Sequence, residues 1–535
     1  MENNTLVESN PRKETMPGPA RFADKAVQIL FFAVFGVILA LLLIFSSKWH
    51  YLKVNFDLPN FWLLILGLVF AAAFCFVLHK ISLFLTNRRK LSPWKHLDRW
   101  SLFIAVSLLF GIQMIIALCI MFRTGWDAGA LQDFAYMKAT NQQPNFNDYF
   151  SMYPNNLLLT WVFTQVMSLC LGVLQSADYY VFLLLLIALN SIISCVTSLL
   201  LFRSVHLLTG NRVLSWAAWW VYALVVGLSP WFLIPYSDTT GILFPILLFY
   251  LYIRLFRKEM LRWPLIAVCF YIGFRIKPTS AIPFIAIILV EIISLFSRST
   301  NWKKVLISTS TILATIVVLQ IGYAALLSPA LGITLDKERE IGPLHFVKMG
   351  LNPQTDGVYF HDDVLFTKTF PTKSEQNAAN LQVIQDRLNS YGRLGTPLFL
   401  LRKALVNFNN GSFAWTQEGS FFIHSYSRNN PLASLLKSYF LPDGSLYHLF
   451  LTFSQMLWLT VQAGTFLFSF QGKRGAIQQS KQTMVIRLTL IGLVMYVMLF
   501  EARARYLYTS LPIFILACVL GFYSLYQRLF KKAIQ

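Results

Sequence analysis

Hydrophobic positions in this 535-residue chain are gathered into long uninterrupted blocks, separated by short basic or turn-rich segments. The apolar runs lie near 26–47, 61–85, 100–122, 156–175, 179–203, 213–229, 240–257, 263–276, 279–297, 304–328, 449–470, 484–500 and 506–527. Many approach the roughly 20 residues that an α-helix needs to cross the hydrocarbon core of a bilayer. Lipid offers no partners for backbone N–H and C=O groups, so blocks of this kind predict helices that satisfy their own hydrogen bonds. The expected fold class is therefore an all-α polytopic membrane protein.

Charge fixes how these runs are threaded. Basic clusters at Arg12/Lys13/Arg21/Lys25, Arg88/Arg89/Lys90/Lys95/Arg99, Arg203/Arg212, Arg254/Arg257/Lys258/Arg262, Arg298/Lys303/Lys304, Lys473/Arg474/Lys481 and Arg528/Lys531/Lys532 ask to be cytoplasmic. From a cytoplasmic N-terminus, all of them land inside only if one run between 123 and 203 does not cross. The run 156–175 is the choice. It follows Tyr153-Pro154-Asn155-Asn156, contains Thr160, Gln165 and Ser168, and only Ser176-Ala177-Asp178 separates it from the next run. It is expected as an interfacial helix within an outer loop 123–178, leaving about 12 transmembrane helices. Pro278 splits 263–276 from 279–297 and brings Arg275 and Lys277 near the outer surface.

The resulting organisation is a disordered cytoplasmic tail over 1–25, a transmembrane module over 26–328, a small mixed extracytoplasmic domain over 329–448, and C-terminal transmembrane helices over 449–535. Within the third part, 375–391 and 397–407 read as helices between turn signals such as Asn352-Pro353 and Asn410-Gly411. The composition, 56% hydrophobic and 13% charged, fits the bilayer as the solvent. The net charge of +21 follows the cytoplasmic loops as a topology signal, so no nucleic-acid partner is expected. All six cysteines fall inside apolar stretches and read as small core residues.

On this topology Asp127, Tyr153, Asp238, Lys277, Glu501, Arg503 and Arg505 all reach the outer face, although they are scattered over nearly the whole chain. Asp127 follows Gly125-Trp126 and precedes Ala128-Gly129, small residues expected to let a bulky ligand approach, with the Trp126 indole beside them. Asp238, after Pro230 and Pro235, could cap the helix that follows, or hold a sugar hydroxyl, the acceptor or a divalent cation. In Glu501-Ala502-Arg503-Ala504-Arg505-Tyr506, charges at the edge of an apolar run are costly unless paired or facing a polar ligand. Guanidinium groups bind phosphate as a planar fork, so Arg503 and Arg505 are candidates for a phosphate group, with Glu501 orienting one of them. No P-loop, dinucleotide fingerprint, His-x-x-x-His or Cys-x-x-Cys pair, or Gly-x-Ser-x-Gly elbow is present.

These elements, in this order and on one side, resemble the GT-C superfamily of membrane glycosyltransferases. The segments His345 to Gly357 and Trp415 to Gly419 look more specifically like its Gram-positive cell-envelope members. The resemblance implies a polyprenyl-phosphate sugar donor and a cell-envelope glycan, teichoic acid or related acceptor. It also implies a multi-pass protein of the cell membrane with its active site on the extracytoplasmic side. It makes Asp127 the catalytic carboxylate and Arg503, Arg505, Lys277 and the neighbouring Arg275 the donor-phosphate contacts. Trp126, Tyr153, Asp238 and Glu501 are the substrate-binding candidates. Asp127-Ala128 stands where the mannosyltransferases have an acidic pair, and Tyr153-Pro154-Asn155 where a His-Pro-Pro is found, so sugar, acceptor and metal remain open. The alternatives are an envelope polysaccharide polymerase or ligase and a lipid-linked sugar transporter.

Overall fold

The computed structural model describes residues 18–45, 56–88, 92–254, 261–295, 301–425, 430–471 and 480–530. Among them, nine helices are long and apolar enough to cross a membrane, from Pro19–Ile44 to Ala504–Leu529. Two shorter apolar helices, Arg212–Gly227 and Ser237–Ile253, lie between them. Helix ends are set by local chemistry. Asp178 accepts from the Tyr180 N–H at 2.7 Å to start Tyr179–Thr209, and Gly210, at φ 62°, closes that helix in the left-handed conformation. Pro278 separates Arg262–Ile276 from Ile282–Leu295 by a single 3-10 turn, as its lost N–H requires.

Three sequence expectations change. Residues 18–25 belong to the helix Gly18–Ile44 and not to a tail, because Ala20 is buried and Asp24 meets Arg487 at 3.2 Å; residues 1–17 lie outside the described residues. The described part of 329–448 is helical, not mixed, with helices Pro343–Gly350, His361–Lys368, Lys373–Phe408 and Pro431–Phe440. Its two-residue strand His424–Ser425 pairs antiparallel with Phe122–Arg123 of the membrane part. The two helices expected at 375–391 and 397–407 form one element, started by a Thr372/Glu375 capping box and kinked at Gly392, where φ is 63°.

Nor does 329–448 stand apart. Three fully buried tryptophans each give the indole N–H to a backbone carbonyl, two of them joining this part to the membrane helices and one bracing it internally. Trp231 donates to Ser412 at 3.0 Å, Trp415 to Phe440 at 2.8 Å and Trp458 to Phe408 at 2.8 Å. Buried indoles need such partners, and here Trp231 and Trp458 tie residues 408–412 to the membrane part while Trp415 ties them to the helix Pro431–Phe440.

The run 156–175 forms helix Leu157–Leu169 extended through Leu174, and both of its ends are held against the helix Asp127–Ala139. At the start, Asn156 donates to the Tyr149 hydroxyl at 2.8 Å, and Tyr149 donates to Asp127 at 3.1 Å. At the finish, Tyr136 donates to the Ala177 carbonyl at 3.0 Å and Tyr179 to Asp133 at 3.1 Å. Asp133 in turn pairs at 2.8 Å with Arg123, three residues beyond the helix Ser92–Ile120. The run therefore lies alongside the helix Asp127–Ala139 from end to end, and Pro154–Leu174 is itself one of the nine helices long and apolar enough to cross a membrane.

Candidate active site

Asp127 opens the helix Asp127–Ala139, where the unpaired N–H groups of the first turn favour a negative charge. Gly125 and Gly129 let the chain turn here, although not for a ligand. A Cβ at Gly129 would collide with the Thr124 carbonyl, and one at Gly125 would meet Ser420 and Ile423 at 2.8 Å. The small residues around Asp127 therefore make room for the protein's own backbone, which corrects the expectation that a substrate uses that space.

The half-buried Asp127 carboxylate accepts from two phenols, Tyr149 at 3.1 Å on Oδ1 and Tyr236 at 3.3 Å on Oδ2. Burial raises its pKa above the ordinary carboxylate value, opposed by the charge of Arg505 and by the two phenols. Burial and the nearby Asp127 push both tyrosines well above the usual phenol range, so they remain donors. An ionised carboxylate has about four lone-pair positions, which leaves room for a further donor at Asp127.

Across an aromatic wall lies a set of buried charges. Asp238, 1% exposed, receives Lys277 Nζ at 2.6 Å and Arg505 Nη1 at 3.0 Å. A single oxygen of Glu418, Oε1, stands 3.3 Å from Nε of both Arg503 and Arg505. The Arg505 guanidinium lies 4.5 Å from the Trp126 ring centre and 5.6 Å from that of Tyr236, and those two rings meet edge to face. The same two side chains therefore wall Asp127 and Arg505, and the two halves form one site.

Other predicted residues take differing places. Tyr153 packs its ring on Tyr149 with centroids 5.4 Å apart, within electrostatic reach of Asp127 and Glu501. Glu501 is buried beside Arg503 and accepts from the Tyr506 phenol, and burial raises its pKa. Its assigned task of orienting the arginines is carried by Glu418 and Asp238. Arg275 is not brought into the cluster. It packs 4.2 Å from the Tyr323 ring centre and hydrogen-bonds Tyr271 and Gln320 on the flank.

Sequence reasoning missed Glu418, Tyr149, Tyr236, Asn156 and Lys403 as parts of this site. Lys403, fully buried, donates to the carbonyls of Gly350 and Phe500. Asn407, one turn further along the same helix, accepts from the Arg503 N–H at 3.0 Å, so the helix Lys373–Phe408 grips the segment that carries Glu501 and Arg503. The available signal for Glu418 was its place in the Trp415–Gly419 segment already noted for its resemblance. A divalent cation does not fit these residues. Lys277, Arg503 and Arg505 already occupy Asp238 and Glu418, and no group of three or more His, Cys, Asp or Glu among the described residues is placed to hold a metal.

One family profile matches residues 20–524, a span that holds this polar centre and nearly all of the helices. The chain belongs to the family of conserved hypothetical integral membrane proteins. Membership of this family agrees with the multi-pass helical architecture and the bilayer as a partner. A comparison with curated proteins finds no match.

Proposed function

We propose that this protein is an inverting GT-C-type glycosyltransferase, moving a sugar from a polyprenyl-phosphate donor to a cell-envelope acceptor. The observation that carries the reading is the juxtaposition just described. A carboxylate held by two neutral phenols sits one aromatic wall away from three cations contributed by distant parts of the chain. In this reading the run 156–175 does not cross, as the placing of the basic loops requires, so there are twelve crossings and the site faces the extracytoplasmic side of the cell membrane.

The chemistry needs one base and one charge clamp. Asp127 takes the proton of the acceptor hydroxyl as its oxygen attacks the anomeric carbon. The bond from that carbon to the phosphate oxygen breaks, and Arg503, Arg505 and Lys277 offset the charge on the departing phosphate. A single displacement inverts the anomeric centre. Trp126 and Tyr236 offer apolar faces to the sugar, and the Trp126 Nε1 N–H, buried without a partner, is a donor available to it.

The test is to incubate purified protein in lipid nanodiscs with a panel of radiolabelled polyprenyl-phosphate sugars and envelope acceptors. Transfer of label to an acceptor is expected. Movement of the donor across the bilayer without transfer would identify a transporter instead, and use of diphosphate-linked donors alone would identify a polymerase or ligase.

A further inference from the structure

Glu418 bridges the two arginines poorly for a group so well placed. Its Oε1 is 3.3 Å from each Nε, and neither contact has hydrogen-bond geometry. A charge-assisted pair with guanidinium normally closes to about 2.7–2.9 Å, often as a two-pronged fork. The loop that carries it is also strained. Phe413, Ala414, Thr416 and Ser420 hold φ values of 55°, 60°, 66° and 49°, a left-handed region that non-glycine residues avoid.

The anchors of this loop lie on either side of Glu418. Trp415 is buried and hydrogen-bonded to Phe440, Thr416 bonds the Tyr447 hydroxyl at 2.9 Å, the Gln417 carbonyl accepts weakly from Arg503 at 3.5 Å, and the Ser420 carbonyl accepts from the Gly125 N–H at 2.8 Å. Between them Gly419 is exposed, with open space where a Cβ would point. Charge supplies the last constraint. Lys277, Arg503 and Arg505 already face the carboxylates of Asp238 and Glu418, with Asp127 just beyond the aromatic wall, before any substrate arrives. An added phosphate would bring surplus negative charge to a buried site unless one acid withdrew, and Asp238 is locked by two short contacts.

We propose that Glu418 is a placeholder for phosphate: its carboxylate holds the position between Arg503 and Arg505 that a phosphate monoester takes, and it swings out at Glu418–Gly419 when that ligand binds. The inference rests on the phosphate-donor reading above and adds to it a self-competing residue. Glu418 is then a positioning residue that taxes binding, because only the fraction of molecules with the carboxylate withdrawn is competent.

The experiment measures binding of a polyprenyl monophosphate, and separately of inorganic phosphate, to the full-length protein and to Glu418→Gln. Removing the competitor should tighten polyprenyl monophosphate binding about fivefold or more. Tightening toward the polyprenyl ester alone assigns the site to a lipid-borne phosphate, and tightening toward both assigns it to phosphate from either source. If the wild type binds and Glu418→Gln binds equally or more weakly, Glu418 is a plain structural counter-ion and the placeholder idea is wrong, while the donor reading stands. If neither protein binds either phosphate, the donor reading itself fails. A second measurement does not depend on that variant folding: polyprenyl monophosphate should change the labelling rate of Gly419→Cys by an impermeant thiol reagent about threefold or more, and an unchanged rate with ligand bound overturns the proposed swing.

Discussion

Replacing Asp127 by Asn separates a catalytic carboxylate from a structural one, because the two roles predict opposite effects on rate and stability. The amide keeps one acceptor oxygen for either Tyr149 or Tyr236 and presents N–H donors to the other phenol, which must turn away. The loss is about one hydrogen bond, on the order of 1 kcal/mol. Against it stands a gain. Burial raises the Asp127 pKa in the folded protein, so the neutral form is favoured there. A raised carboxylate pKa contributes stability that is present below the unfolded value and lost as pH rises through the folded one. Near neutral pH the ionised group is therefore a cost that Asn removes. The variant should melt within a few degrees of the wild type.

Turnover should behave quite differently. An amide cannot accept the acceptor's proton, and loss of a general base typically slows a reaction by about 10²–10⁴-fold, or about 3–5 kcal/mol of barrier. In nanodiscs with a labelled donor, wild-type kcat/KM should fall as pH drops through the raised Asp127 pKa, at a higher pH than an ordinary carboxylate would give. That acid limb should disappear from the residual rate of Asp127→Asn. A variant that loses stability yet keeps more than about a tenth of its turnover would refute the assignment and make Asp127 an anchor for two tyrosines.

Arg505→Ala leaves Asp238 and Glu418 each short of a cation, so it should lower stability by about 3–5 kcal/mol and weaken donor binding; Arg505→Lys should recover part of both, and full donor binding in the Ala variant would discard the clamp. Cysteines at Asn155 and Ser176 should both react with an impermeant thiol reagent from outside the cell if the placing of the basic loops keeps the 156–175 run from crossing; labelling of Ser176→Cys only from the cytoplasm would break the twelve-pass reading. His345, bonded to Thr367 and 1% exposed, has its pKa lowered to about 4 by burial and by Lys348, so stability should fall by up to about 3 kcal/mol as pH drops from about 6.5 toward 4. Thermal unfolding of His345→Gln should be flatter across that window, and an unchanged slope would show that other groups set it.

Charged residues at the ends of apolar runs were legible because the bilayer makes them expensive, and this logic alone selected Asp127, Asp238, Lys277, Arg503 and Arg505. The structure brings these into one centre. Their partners were not legible. Glu418 sits in a turn-rich segment about 80 residues before Arg503, where an acid reads as solvated, and no periodicity links a loop to the helix end against which it folds. Tyr149 and Tyr236 are two of 22 tyrosines, and in a membrane chain a lone Tyr reads first as an interfacial anchor. The small residues near Asp127 misled for a related reason: sequence shows that space is needed but not whether a ligand or the protein's own backbone fills it.

The partners also assign roles that position along the chain could not. Both oxygens of Asp238 are taken by cations, Lys277 on one and Arg505 on the other, so an acceptor hydroxyl has no free approach to it. Glu418 stands between two arginines. Asp127 is held by two neutral donors, with acceptor positions left over and its proton affinity raised by burial, whereas Glu501, which also accepts from a phenol, lies beside Arg503. One carboxylate is thereby suited to be the base, and the others serve as counter-ions. Asp238→Asn should accordingly destabilise the fold, because two buried cations lose their anion, and should act on the rate through donor binding, with the acid limb of the pH profile kept. Should Asp238→Asn abolish that limb while Asp127→Asn preserves it, the two acids have exchanged roles, and the acceptor must approach from the Lys277 side of the aromatic wall.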